Sequence, residues 1–349
     1  MLYQLSVILI LALLLLAVMR RVALAIGLVD KPNARKQHSG SIPLAGGIAL
    51  YLTVALFTLW QPAWLPHSEA YLLCISVLVA MGAVDDAFDL PVIPRICVQG
   101  AIALVMMLAA GLRLHTLGYL GGNEEWQLGG LSLWVTPLAV WGAINAFNMI
   151  DGIDGQLAVL SSIAFAGLAL LFTQGQKTGL TLGCLGMIAA LTAFLLFNLG
   201  LLGATSKIFM GDAGSMMIGL TVLWLSLVAT QESRAVARPI TVLWLIAVPL
   251  MDMVRVSLCR LLRRQSPFSA GRDHLHHILM RRGLSSLQAL GMSSLLAMLM
   301  AAVGVISEVL LLPESLMLLA FLLCFSAYFA LMREPRQNLA YTEQHSVDR

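Results

Sequence analysis

Apolar runs long enough to cross a bilayer recur along the whole chain, and they decide what it can fold into. A helix needs about 20 mostly apolar residues to span the hydrocarbon core. Every backbone polar group in that core must be satisfied internally, which leaves helices and closed barrels. A barrel shows short alternating segments, whereas these are continuously apolar. Of the 349 residues, 59% are hydrophobic and 11% charged, against about 25% charged in a soluble domain. The chain is therefore expected to be an all-α polytopic transmembrane bundle, a single integral membrane domain over residues 1–349.

Spans are expected at 2–19 and at about 44–60, 70–84, 96–112, 131–147, 156–173, 180–197, 216–230, 240–257, 287–306 and 315–332. That makes about eleven spans, with the N-terminus outside and the C-terminus inside. The first lacks a leading charge and is followed by Arg20-Arg21, so it reads as an uncleaved span rather than a secretory signal. Residues 258–286 form a basic loop inside, and 333–349 a tail. With this orientation seventeen of the 21 basic residues lie inside and only Arg113, Lys177, Arg234 and Arg238 outside, as the positive-inside rule requires. Every Asp also falls inside, while the outside acids are Glu. Topology does not sort Asp from Glu, so short carboxylates gathered at one face suggest a site for a metal or a polyanion. The longest outside loop, Leu120 to Gly130, is expected to form a small hairpin with Trp126 as an interfacial anchor. The five scattered cysteines have no CxxC spacing and read as small hydrophobes.

Four polar clusters interrupt the apolar pattern at the inside face. The central one runs Asn145-Ala146-Phe147-Asn148-Met149-Ile150-Asp151-Gly152-Ile153-Asp154-Gly155. Two amides and two carboxylates recur every three residues at the end of a span, where polar groups are expensive. Simple helix capping needs one such residue, so a polar loop that merely caps is the lesser reading. The second is Asp85-Asp86-Ala87-Phe88-Asp89. On a helix Asp85 and Asp89 share a face with Asp86 beside them, and such crowding favours a shared cation or proton. A solvated helix end is the plainer alternative. The third, Lys207-Ile208-Phe209-Met210-Gly211-Asp212-Ala213-Gly214-Ser215, opens a span. A Gly-rich turn there offers N–H groups to phosphate, and its Asp can hold Mg²⁺. An ordinary turn capped by Asp212 or Ser215 is an equal alternative. The fourth is Ser266-Pro267-Phe268-Ser269-Ala270-Gly271-Arg272-Asp273-His274-Leu275-His276-His277 in the basic loop. It suits phosphate better than zinc, because no cysteine is near enough to complete a zinc set. Arg95 is placed to meet a lipid phosphate, with snorkelling to the interface as the simpler reading. Asp252 and Arg255, spaced i and i+3, read as a structural ion pair. Together the clusters point to metal-assisted phosphoryl transfer with one lipid reactant.

These motifs, with Gly27-Leu28-Val29-Asp30-Lys31-Pro32-Asn33 and Ile42-Pro43-Leu44-Ala45-Gly46-Gly47, resemble those of the polyprenyl-phosphate N-acetylhexosamine-1-phosphate transferases over nearly the whole chain. The resemblance implies transfer of GlcNAc-1-phosphate from UDP-GlcNAc to undecaprenyl phosphate, giving undecaprenyl-diphospho-GlcNAc and UMP. It further implies initiation of a surface polysaccharide such as O antigen or a common antigen. The expected cofactor is Mg²⁺, with Mn²⁺ able to substitute, held by Asn148 and Asp212. Asp85, Asp86, Asp151 and Asp154 are the expected catalytic residues. Eukaryotic members do not keep the acids matching Asp151 and Asp154, which argues against a direct metal role for these two. Arg95, Asn145, Phe209, Arg272, His274, His276 and His277 are the expected substrate-binding set, with Phe209 stacking on uracil. The implied setting is a bacterial inner membrane, with the active site on the cytoplasmic face. No nucleic-acid partner is expected, and a homodimer is compatible with the resemblance. Two alternatives stand beside this reading: a phospho-MurNAc-pentapeptide transferase of the same superfamily, and a polytopic transporter. A transporter places polar groups at mid-membrane and often carries inverted repeats, neither of which the chain shows.

Overall fold

A computed structural model describes residues 1–30, 40–122, 124–267 and 271–333. Among these residues nearly all regular structure is helical. In chain order the elements are α1 (Leu2–Ile26), a two-residue ribbon of β1 (Val29–Asp30) and β2 (Ile42–Pro43), α2 (Gly46–Trp60), α3 (Ser68–Phe88), α4 (Val92–Ala109), α5 (Ser132–Ile150), α6 (Gln156–Gln174), α7 (Thr178–Asn198), α8 (Gly211–Gln231), α9 (Pro239–Leu245), α10 (Ala247–Leu262), α11 (Leu275–Arg281), α12 (Ser286–Val309) and α13 (Glu314–Leu331).

Each expected span meets a helix, and nine helices among the described residues are long and apolar enough to cross a membrane alone. The 15-residue α2 is shorter. The expected straight span at 240–257 is instead broken: α9 and α10 meet at an 82° bend. The bend falls at Ile246, and α10 beyond it buries Asp252, Arg255 and Arg260 along one side. Those charges explain why the segment does not continue as a lipid-facing rod. The basic loop also contains α11, and the motif residues 31–33 and 268–270 and tail residues 334–349 lie outside the described residues. At the opposite end of the bundle, backbone hydrogen bonds pair Leu117 and Gly118 with Trp126, so the hairpin begins earlier than the expected Leu120, and Trp126 is exposed.

The organising element is α8. Its apolar window is buried throughout, and α2, α3, α5 and α6 pack around it. A helix apolar on all sides belongs in the middle of a bundle. Small residues set the spacing, as is usual where helices approach closely in membranes. A Cβ on Gly82 of α3 would stand 2.4 Å from Ala213 Cα, and one on Gly47 of α2 would stand 2.1 Å from the Gly214 nitrogen. Farther along α8, the Tyr71 hydroxyl bonds to that of Thr221 at 3.0 Å, and Tyr71 meets Trp224 edge to face. The strand segment joins the same end of α8. Phe209 N–H donates to Pro43, while the Gly46 and Gly47 N–H groups donate to Phe209 and Met210.

This close approach yields a test. Gly82→Ala forces α3 away from the start of α8 and should cost about 1–3 kcal/mol of stability, the usual price of overpacking. Thermal unfolding in detergent should report a lowered midpoint, and an unchanged midpoint would contradict the packing described.

Candidate active site

The N-terminus of α8 sits where the C-terminal ends of α3 and α5 meet the N-terminal end of α4, and its first N–H groups need acceptors. Asp86 supplies them. One carboxylate oxygen accepts from Asp212 N–H at 2.8 Å and the other from Ala213 N–H at 3.3 Å. Gly211, at φ +73°, makes room, because a Cβ there would stand 2.4 Å from Asp86 Oδ2. The expectation that this turn offers free N–H groups to phosphate is thus overturned for these two: a carboxylate from α3 already holds them. Nor do Asp212 or Ser215 cap the turn. The Ser215 hydroxyl instead donates back to the Gly211 and Asp212 carbonyls.

Asp85, one residue earlier, is buried. It accepts from Leu90 N–H at 2.7 Å and from the Arg95 guanidinium at 2.9 Å. It therefore fixes the turn from α3 into α4 and aims Arg95, which stands 3.9 Å from Asp212. Asp89 does not share a helical face with Asp85 as expected: α3 ends at Phe88, and Asp89 adopts a left-handed conformation at the cap. From α5, the Asn148 amide donates to Asp212 at 2.8 Å and to the Ser215 hydroxyl at 2.9 Å. Asp85, Asp86, Arg95, Asn148 and Asp212 form one connected network drawn from four helices. Asn145 lies a turn back on α5 and faces α4, bonding to Gln99 and to the Trp141 carbonyl.

The loop from α5 to α6 forms a second wall. Lys207 pairs with Asp154 at 2.6 Å, and its ammonium lies 5.4 Å from the centre of the Phe209 ring. Asn198, at the end of α7, accepts from Gly155 N–H at 2.6 Å and donates to the Ile208 carbonyl at 2.9 Å. It ties the central motif to the segment entering α8. Neither Asn198 nor Lys207 is among the site residues expected from the sequence. The available signal was an amide ending a helix that is otherwise almost wholly apolar. Asp151 is exposed at the end of α5. Its carboxylate lies near those of Asp212 and Asp154, whose charges repel its own.

The histidine loop closes over this wall. His276 is buried against Gly152, where a Cβ would stand 2.0 Å from its Nε2, so the loop fits only over a glycine. Among the described residues neither ring nitrogen of His276 has a hydrogen-bond partner. Desolvation, then the neighbouring His277 and His274, hold its pKa down to about 3. His276 meets His277 at 4.2 Å between ring centres, and His274 lies stacked at 6.0 Å. His274 is anchored by Asp252 through Nδ1 at 2.8 Å. The Arg272 side chain is exposed just before this loop, and its carbonyl accepts from Arg281 at 2.7 Å. The Asp252–Arg255 pair is present at 3.2 Å, but it is part of a larger hub than its spacing indicated.

The described residues contain no group of three or more His, Cys, Asp or Glu side chains able to enclose a metal by themselves. Mg²⁺ does not ask for one, since it commonly takes one or two carboxylates, several waters and substrate phosphates. Asp212 and the adjacent Asn148 could supply a carboxylate and an amide oxygen to such an ion. The network can hold a divalent cation beside one guanidinium, which suits a diphosphate.

Residues 69–230 match the family model described as Glycosyl transferase family 4. A Yersinia pestis protein named undecaprenyl-phosphate alpha-N-acetylglucosaminyl 1-phosphate transferase is 48% identical over 314 residues, 90% of this chain and 86% of that protein. The chain belongs to glycosyl transferase family 4. An Escherichia coli K12 protein of the same name is 46% identical over 310 residues, covering 88% of this chain and 84% of its own. The Pasteurella multocida protein so named is 41% identical over 320 residues, or 91% and 89% of the two chains. The family 4 match bears out the resemblance read from the motifs, and its segment runs from the start of α3 to the last turn of α8, which includes both walls of the site.

The buried His276 gives a pH test with a definite sign. Its pKa falls from an ordinary 6.5 to about 3 on folding, so between these values the unfolded chain binds the extra proton and stability declines as pH drops. His276→Phe removes that proton. The melting temperature of the wild type should therefore fall more steeply than that of the variant from pH 6.5 to 5. Parallel curves would show that His276 is not held neutral.

Proposed function

We propose that the protein transfers GlcNAc-1-phosphate from UDP-GlcNAc to undecaprenyl phosphate, releasing UMP and leaving undecaprenyl-diphospho-GlcNAc. The observation that carries this reading is the single network of Asp85, Asp86, Arg95, Asn148 and Asp212 at one end of the bundle. It occurs in a chain 46–48% identical to transferases named for that acceptor and sugar.

Arg95, aimed by Asp85, holds the acceptor phosphate at the lipid side of the network. A phosphate monoester, with a second pKa near 6, is mostly dianionic at neutral pH. Its oxygen attacks the β-phosphorus of UDP-GlcNAc, a new P–O bond forms, and the bond to UMP breaks. Such an acceptor needs little help from a base. Asp85 and Asp86 accordingly serve as positioning groups, one setting Arg95 and the other setting the backbone of Asp212. Asn148 and Asp212 would hold Mg²⁺ or Mn²⁺, which supplies charge neutralisation at the diphosphate. Phe209 offers its ring to uracil, with Lys207 and Asp154 bounding that end of the pocket. Asp151 adds negative charge beside the nucleotide, and Asn145 supports α5 from the α4 side. Arg272, His274 and His277 meet the donor phosphates, and His276 seats their loop on Gly152. The excess of basic residues on the same side as the site supports a cytoplasmic active site in a bacterial inner membrane. The product would then initiate a surface polysaccharide.

Purified protein supplied with undecaprenyl phosphate and UDP-GlcNAc should release UMP, and a chelator should stop it. Asp212→Asn should lower kcat by about 10²-fold or more, the scale for losing one electrostatic stabiliser, and should weaken the response to Mg²⁺. A variant with the wild-type metal titration would remove Asp212 from the metal site. Preference for UDP-MurNAc-pentapeptide as donor would move the protein to the other branch of the superfamily.

A further inference from the structure

The carboxylate of Asp252 is 1% exposed and belongs to no part of the network around Asp212. Burying such a charge is costly unless each oxygen is well partnered. Here four donors from three segments meet it. Oδ1 accepts from Leu275 N–H at 3.0 Å, from the Tyr328 hydroxyl of α13 at 2.9 Å, and from Arg255 at 3.2 Å. Arg255 also donates to the Asp273 carbonyl, which pins the backbone just before His274. The other oxygen, Oδ2, is spent on His274 Nδ1 at 2.8 Å.

The division of labour between the two oxygens is informative. Holding the loop against α10 and α13 is accomplished at Oδ1. An ionised carboxylate only accepts, so the bond at Oδ2 requires the proton of a neutral His274 to sit on Nδ1. That leaves Nε2 as the nitrogen able to meet a substrate, and it fixes the ring plane.

Resting on the transferase reading above, we propose that Asp252 is a positioning residue for phosphate transfer: it holds His274 in the Nδ1–H form, with Nε2 presented to the donor diphosphate, while Tyr328 anchors the carboxylate from the last helix. Asp252→Asn separates this role from simple packing. The three donors at Oδ1 retain the amide oxygen there, which places the amide NH₂ against His274. The histidine must then accept through Nδ1 and carry its proton on Nε2.

The test uses the full-length protein in detergent or nanodiscs with ¹⁵N-labelled histidine. His274 is assigned by its loss in His274→Ala, and spectra are taken near pH 9. In the wild type His274 should show the Nδ1–H form, and in Asp252→Asn the Nε2–H form. Nε2–H in the wild type overturns the proposal, and this readout requires no activity. In turnover assays Asp252→Asn should lower kcat/KM by about 10- to 100-fold, the usual scale for losing a group that orients a working side chain. In the His274→Ala background the same change should cost less than about twofold. Equal losses in both backgrounds would mean that Asp252 acts only on the fold. Wild-type protein that forms no lipid-linked product would count against the transferase reading, while the tautomer result would still stand on its own.

Discussion

A helix that begins inside a bundle leaves its first N–H groups without partners, and the site depends on how α8 resolves that problem. Asp86 reaches across from α3 and takes two of them. The cap joins two helices, fixes the backbone of Asp212, and turns the neighbouring Asp85 toward α4 and Arg95. Small residues make the approach possible, since Gly47 and Gly82 admit α8 to within backbone contact. Buried capping and close packing are here a single arrangement, and the chemistry is built on it.

The charge balance around this junction suits a phosphorylated substrate. Asp85, Asp86 and Asp212 crowd together with one guanidinium between two of them. Like charges so near one another are unfavourable, and the network relieves this with backbone N–H groups, an amide and Arg95 rather than with further lysines. On the other wall, Asp154 is met by Lys207, while Asp151 remains exposed beside them. The Asn198 clamp keeps the two walls in register through the backbone, so neither depends on a charge pair alone.

Much of this was legible in the sequence. Apolar runs revealed the helices because a bilayer demands length and hydrophobicity, and clustered Asp, Asn and His marked one end because polar groups are rare there without cause. What was not legible was direction. The spacing of Asp85, Asp86 and Asp89 suggested a shared face, yet the helix stops first. Asp86 looked like a reactive group and is engaged as a cap. Asn145 recurs in step with Asn148, but one turn of helix is enough to face it toward Gln99. The Asp252–Arg255 spacing showed a pair, while its ties to His274 and Tyr328 span 22 and 76 residues. Each of these is a tertiary choice among partners that local sequence permits equally.

The seat of His276 on Gly152 has an evolutionary corollary. Two segments more than a hundred residues apart share one volume, and neither can gain an atom at that point unless the other yields. Drift at either position is therefore constrained by its counterpart. A histidine loop transplanted between distant relatives would bring its old fit with it, and would seat only where the recipient offers a bare backbone beneath.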